Sequence, residues 1–231
     1  MKPTFRTMRQ RYHTLLDSKT VLLDGIRVDA RVETVGSDVR REIIRGNYEF
    51  AERKLLQKVL RSGDRVVEIG AGIGVIGLLA SRLVGAKAVT SFEANPSLET
   101  VIRANYDLNN LHPNLEMKAV TLDGGPVRFF VTSNLLSSSL HERGNHEEVE
   151  VDSIAIQDVI ARYDPTVLVL DVEGAEADFL PPANLENVRA MLIETHANVV
   201  GKEAIQAMET SLVDKGFNLR ERQHRNILVE R

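Results

Sequence analysis

Residues 66–74 read Val-Val-Glu-Ile-Gly-Ala-Gly-Ile-Gly, and Glu93 stands nineteen residues past the last glycine. An apolar strand that runs into spaced glycines, then a helix, then a second strand ending on an acid is a βαβ unit with an open crevice at its carboxyl edge. Gly70 and Gly72 let the backbone turn sharply and let a ligand approach where a Cβ would stand. Gly74 opens the helix and is expected to bring it close to the strand. Its free N–H groups can meet a carboxylate or a phosphate. Glu93 can accept hydrogen bonds from both hydroxyls of a ribose. The pattern is that of a cleft for a nucleoside-bearing cofactor.

The rest of the chain repeats strand and helix. Strands are expected at 65–69, 88–92, 115–120, 166–170 and 190–194, and helices at 74–84, 96–109, 156–163 and 202–215. Thr166-Val-Leu-Val-Leu170 is nearly all apolar, as in a strand buried on both faces. Two β-like runs, 127–131 and 148–154, flank a polar loop containing Ser137, Ser138, Ser139 and His141. That loop can cover an acceptor. Residues 217–222 and 226–230 read as a closing strand pair, which introduces one antiparallel strand. The fold class is α/β: a doubly wound, mostly parallel sheet.

Residues 1–62 form a helix and hairpin extension before a domain at 63–231. Phe5, Met8, Tyr12, Leu15 and Leu16 make an apolar stripe at helical spacing. The stripe is consistent with a homodimer or with packing on the body. Val21-Leu22-Leu23 and Ile26-Arg27-Val28 flank Asp24-Gly25 as a hairpin. Asn47 is placed to cap a helix ending near Leu60. Residues 33–46 receive no element in this reading.

Which cofactor the crevice takes decides the chemistry. Gly72-Ile-Gly74-Val-Ile-Gly77 satisfies G-x-G-x-x-G, the dinucleotide string, but that match is weak alone. Glu68 stands two residues before Gly70, where a carboxylate would repel a pyrophosphate and could hold the ammonium of a methionine moiety. The loop lies sixty-odd residues in, and no separate substrate domain follows. S-adenosylmethionine is favoured over NAD(P). The alternatives are an NAD(P)-dependent oxidoreductase and a non-catalytic nucleoside-binding protein.

Charge and composition narrow the partners. The net charge is −4, yet residues 1–61 carry 14 Lys/Arg against 8 Asp/Glu. The acidic body argues against a dedicated nucleic-acid binder. Without cysteine there are no disulfides, thiolate metal sites or cysteine nucleophiles. The apolar runs are too short for a bilayer and no secretory leader is visible, so a cytoplasmic protein off the membrane is expected.

The chain resembles the FkbM family of S-adenosylmethionine-dependent methyltransferases across about residues 46–196. The likeness rests on Gly46-Asn-Tyr-Glu49, the glycine string at 66–74, Phe92-Glu-Ala-Asn-Pro96, Lys118-Ala-Val120, Ser137-Ser-Ser-Leu140, Asp171-Val-Glu-Gly-Ala-Glu176 and Ile193-Glu-Thr-His196. Family members more often place Asp where Glu68 stands. The resemblance implies a seven-stranded class I sheet and O-methylation of a small-molecule or glycan acceptor. It also implies a cofactor site made of Tyr48, Glu49, Glu68, Gly70, Gly72, Gly74, Glu93, Ala94, Ala119, Val120 and Asp171. Tyr48 and Glu49 would close over the methionine end; Ala119 and Val120 would flank the adenine. Asp171, Glu173 and His196 are the catalytic candidates. Asp171 serves either the methionine ammonium or the acceptor proton, and Glu176 is read as structural. The spacing of Asp171, Glu173 and His196 is not specific for a metal, and none is expected.

Overall fold

The computed structural model describes residues 5–131 and 147–231. The loop residues Ser137, Ser138, Ser139 and His141 lie outside them.

The chain begins with helix α1 (Phe5–Leu15), hairpin β1 (Thr20–Leu23) and β2 (Ile26–Asp29), and helices α2 (Val32–Arg45) and α3 (Phe50–Val59). There follow β3 (Val66–Ile69), α4 (Val75–Val84), β4 (Val89–Phe92), α5 (Glu99–Asn109), β5 (Asn114–Glu116), β6 (Ala119–Thr121), β7 (Val127–Val131), β8 (Glu147–Val151) and β9 (Ser153–Ala155). The last part holds α6 (Ile156–Tyr163), β10 (Val167–Leu170), α7 (Glu176–Phe179), β11 (Ala190–Glu194), α8 (Ala197–Val200), α9 (Lys202–Asp214), β12 (Asn218–Gln223) and β13 (Asn226–Glu230).

Seven strands form the central sheet in the order β12-β13-β11-β10-β3-β4-β5. The neighbours from β11 through β5 are parallel, and β13 is antiparallel to both β11 and β12. The strand order reverses beside β3, so the loops after β3 and β10 diverge and leave a crevice between them. Successive residues of a strand face opposite sides, and the buried residues follow that rule. Val66, Val89, Val167, Val169, Ala190 and Leu192 join one apolar layer with α2, α3, α4, α5 and the hairpin. Val67, Ile69, Leu168, Leu170, Met191 and Ile193 join the other with α6, α7 and α9.

Three expectations need correction. The strand expected at 115–120 is two. The carbonyl of Glu116 accepts the N–H of Glu93 at 3.1 Å and of Lys118 at 3.0 Å, which turns the chain off the sheet edge. β6 then pairs in parallel with β9. Asn47 does not cap α3: its side-chain amide donates to Glu42 at 3.0 Å, and Glu49, at φ 47°, precedes the helix. Residues 33–45 lie in α2, which is interrupted at Gly36 (φ 77°, ψ 163°) and closed by Gly46. Gly36 and Ser37 weaken the local helical pattern, while Val35, Val39, Ile43 and Ile44 still bury one face.

Candidate active site

The floor of the crevice is the glycine loop. The N–H groups of Gly70 and Ala71 both donate to the carbonyl of Phe92, at 2.9 and 3.0 Å. Gly70 has φ 92°, and a Cβ there would lie 1.9 Å from the carbonyl oxygen of Asp171. Only glycine permits β3 and β10 to end this close together. Glu93 sits beneath the loop, buried. Its Oε2 accepts the Gly72 N–H at 2.9 Å and its Oε1 the Asn95 N–H at 2.8 Å. Burial pushes this carboxyl up to about 7, against the pull of N–H groups from Asn95, Gly72, Ala94 and Ala71. Each oxygen keeps accepting capacity for a hydroxyl. Asn105 of α5 ties the loop to the hairpin: it donates to the Ile73 carbonyl and accepts from the Asp29 N–H, both at 2.8 Å.

Glu68 does something other than expected. It is 2% exposed. Its Oε1 accepts the Gly77 N–H at 3.0 Å, and its Oε2 accepts the Ser91 hydroxyl. Both oxygens are thus turned to α4 and β4, and the carboxylate clamps helix to sheet instead of reaching a methionine ammonium. Burial raises it to about 8. Gly77 is the glycine that lets α4 approach, since a Cβ there would meet Ser91 Oγ at 2.5 Å and Glu68 Oε2 at 2.6 Å. Gly74 instead faces Tyr106 and Ile102 of α5.

Tyr48 and Glu49 lie over the loop. Tyr48 Oη and Glu49 Oε1 stand 3.0 and 3.3 Å from the place where a Gly72 Cβ would be. Arg53, itself buried, holds this turn by donating to the carbonyls of Tyr48 at 2.9 Å and Gly46 at 2.8 Å. Glu49 Oε2 is covered and has no hydrogen-bond partner among the described residues. Burial raises Glu49 well above the usual carboxylate range, and the neighbouring Glu52 and Glu68 push the same way. Burial and the Glu49 charge raise Tyr48. An orphaned carboxylate oxygen above a glycine cradle fits an ammonium or a hydroxyl group. Ala94 follows Glu93 at the rim, half-buried. Ala119 and Val120 are covered by the protein, Val120 within the second apolar layer, which leaves little of either to face a ligand.

A cluster of acids around one histidine closes the far side. Asp171 and Glu173 follow β10, Glu194 ends β11, and His196 is two residues on. His196 is 2% exposed. Its Nδ1 lies 3.4 Å from Glu176 Oε1, which also accepts the His196 backbone N–H at 3.2 Å. The other oxygen of Glu176 accepts the Gly174 N–H at 2.9 Å. Nε2 of His196 faces Asp171 Oδ1 at 3.5 Å, Glu173 at 3.9 Å and Glu194 at 3.9 Å. Although 42% of the Asp171 side chain is open, its Oδ1 is wholly covered. Burial, then the charges of Glu173, Glu52 and Glu176, lift Asp171 to about 7. Glu194 rises to about 8 through burial, the Asp171 charge and a hydrogen bond shared with Glu52. Burial alone would lower His196, but Glu176, Glu173 and Glu194 outweigh it and raise the imidazole. Arg225 pairs with Glu194 at 2.6 Å.

Sequence reasoning did not place Glu52 or Arg225 here. Glu52 looks like an ordinary polar position of α3, and Arg225 sits in the tight turn between β12 and β13. Only the sheet order brings both to β11.

The sheet order, the glycine loop closed by an acid after β4, and the acidic crevice beyond β10 make a doubly wound, Rossmann-like domain with its crevice at the carboxyl ends of β3 and β10. The chain belongs to the FkbM methyltransferase family: the Methyltransferase FkbM domain matches residues 68–219. That membership sets aside the dinucleotide reading of Gly72 to Gly77. The chain is also similar to the ribosomal protein L11 methyltransferase of Streptococcus pyogenes serotype M49 (strain NZ131), 36% identical over 64 residues. That match covers 28% of this chain and 20% of the relative, so the chain spans about a fifth of the curated relatives it matches. A solved ribosomal protein L11 methylase from Lactobacillus delbrueckii subsp. bulgaricus superposes with TM-score 0.45 at 16% identity, over 80% of this chain and 78% of its own. A methyltransferase from Pyrococcus furiosus does so with TM-score 0.49 at 13% identity, over 97% and 96%.

Proposed function

We propose that this protein is an S-adenosylmethionine-dependent O-methyltransferase acting on a hydroxyl of a sugar, glycan or natural product. The observation that carries this reading is the meeting of Asp171, Glu173, Glu194 and His196 at the carboxyl ends of β10 and β11, beside the glycine loop. Bound S-adenosylmethionine supplies a methyl group on an already activated sulfonium. The chain therefore has mainly to hold and align, which is worth on the order of 7–11 kcal/mol in well-oriented reactions. Glu93 and the Gly72 backbone would hold the ribose. Glu49, with its unpaired oxygen, and the open side of Asp171 would hold the ammonium, with Tyr48 shielding both. Glu173, about a third exposed and 3.9 Å from His196, is the carboxylate placed to take the proton of the acceptor's hydroxyl and pass it to solvent.

Calorimetry with S-adenosylhomocysteine tests the cofactor half. Wild type should bind, and Glu93→Ala should weaken binding at least about tenfold, roughly 1.4 kcal/mol. A wild-type chain that releases no heat at millimolar ligand overturns the reading. Transfer of a labelled methyl group to a panel of hydroxylated acceptors tests the rest.

A further inference from the structure

Three side chains of the crevice present donor atoms to one point. One oxygen each of Asp171 and Glu194 and one ring nitrogen of His196 all lie within 4.8 Å of one another. The imidazole is not free to turn, because Glu176 takes both its Nδ1 and its backbone N–H. Nε2 is thereby aimed into the cluster, where it makes no hydrogen bond among the described residues; the carboxylate oxygens stand at 3.5–3.9 Å. Asp171 Oδ1, the nearest of them, is covered and also without a hydrogen-bond partner. A covered carboxylate oxygen without a hydrogen-bond partner, with the imidazole nitrogen of a buried histidine held in place and aimed at it, is the arrangement of a ligand set.

We propose that Asp171, Glu194 and His196 bind a divalent transition-metal ion, for which manganese is the probe, with its remaining positions open to the crevice. The donor set is one imidazole and two carboxylates. Magnesium and calcium prefer oxygen alone, whereas an imidazole suits transition ions. The surroundings are those of a ligating histidine: a carboxylate on the opposite ring nitrogen fixes tautomer and orientation. Arg225 holds Glu194 from the outer side. An ion here would receive the acceptor's hydroxyl and make it more acidic, the task a carboxylate base performs less well on an aliphatic alcohol. That use rests on the methyl-transfer reading; the binding itself does not.

The test is titration of manganese chloride into the full chain, freed of metal by chelation, followed by loss of the free-ion paramagnetic resonance signal. One ion should bind per chain. His196→Ala and Glu194→Gln should each weaken binding by about tenfold to a hundredfold. Asp158→Asn, on α6 away from the cluster, should bind about as tightly as wild type. Millimolar magnesium should not displace the manganese. Circular dichroism of each variant separates lost ligands from lost fold, and Glu194→Gln, the nearly isosteric change, decides if His196→Ala does not fold. An unchanged free-ion signal with wild type overturns the proposal. So does binding that His196→Ala and Glu194→Gln leave intact, since that describes a diffuse acidic surface. Calorimetry with S-adenosylhomocysteine in chelator keeps the two readings apart. Cofactor binding without manganese binding sinks the metal site alone, and the reverse sinks the methyl-donor reading alone.

Discussion

Glu68 and Glu93 are both carboxylates at strand ends beside the same glycine loop, yet they do different work. Glu93 was legible because its spacing from Gly74 places it at the end of the next strand. The role of Glu68 was not, because it depends on where Gly77 and Ser91 come to rest around it. Its folded carboxyl titrates near 8 against 4.5 for an ordinary glutamate. A raised carboxyl favours the folded state while it is protonated. The stability it contributes is full below about pH 4.5 and is lost as pH rises toward 8. One such proton gives a slope approaching 1.4 kcal/mol per pH unit, roughly. Glu68→Gln keeps an acceptor for Gly77 and a donor for Ser91 but has no proton to lose. Urea unfolding should show the variant near wild type at pH 5 and more stable at pH 8. Equal stabilities at pH 8 would show that the buried carboxyl carries no such linkage.

At the scale of elements, the hairpin and α3 are joined by Arg53. It is 2% exposed, pairs closely with Asp24 in the hairpin turn, and donates to the carbonyls of Tyr48 and Gly46. Asp24 keeps Lys54 at 2.9 Å when Arg53 is removed, but the carbonyls of Tyr48 and Gly46 lose their donor, at about 1–3 kcal/mol for each acceptor left unsatisfied. Arg53→Ala should lower unfolding free energy by that order in urea titrations. Because Arg53 also anchors the Tyr48-Glu49 turn, S-adenosylhomocysteine affinity should fall in the fraction that remains folded. Undiminished affinity would mean that the turn does not hold the cofactor. The hairpin was readable from Asp24-Gly25, whose φ angles of 45° and 88° suit the two-residue turn that hairpins favour. Helix α2 escaped because Gly36 breaks the local pattern that would announce it.

Over the whole molecule, the boundary drawn near residue 62 is one of sequence pattern. Val21, Leu23, Ile26, Val28, Ile43, Leu55 and Leu56 share an apolar layer with β3, α4 and α5. Each such side chain contributes about 1.5–3 kcal/mol by burial, and together they are comparable with the roughly 5–15 kcal/mol of net stability of a whole domain. We propose that residues 1–62 are part of the folding unit. A chain starting at residue 63 should lose its cooperative thermal transition and bind a hydrophobic dye; a cooperative melt would refute this. The stripe on α1 is the exception, with Met8, Tyr12, Leu15 and Leu16 all exposed. Among the described residues no helix is long and apolar enough to cross a membrane.

What the chain announced on its own was periodic or local: the alternation of strands and helices, the glycine turn, and an acid at the end of the second strand. Those features follow from backbone geometry and short-range spacing, which a linear string carries. Tertiary structure alone decided that Glu68 clamps a helix, that the strand after α5 splits, and that Glu52 and Arg225 join Asp171, Glu194 and His196. Charges interact through space at a few ångströms, and the distance between α3 and the β12–β13 turn is set by sheet order, which no local spacing records.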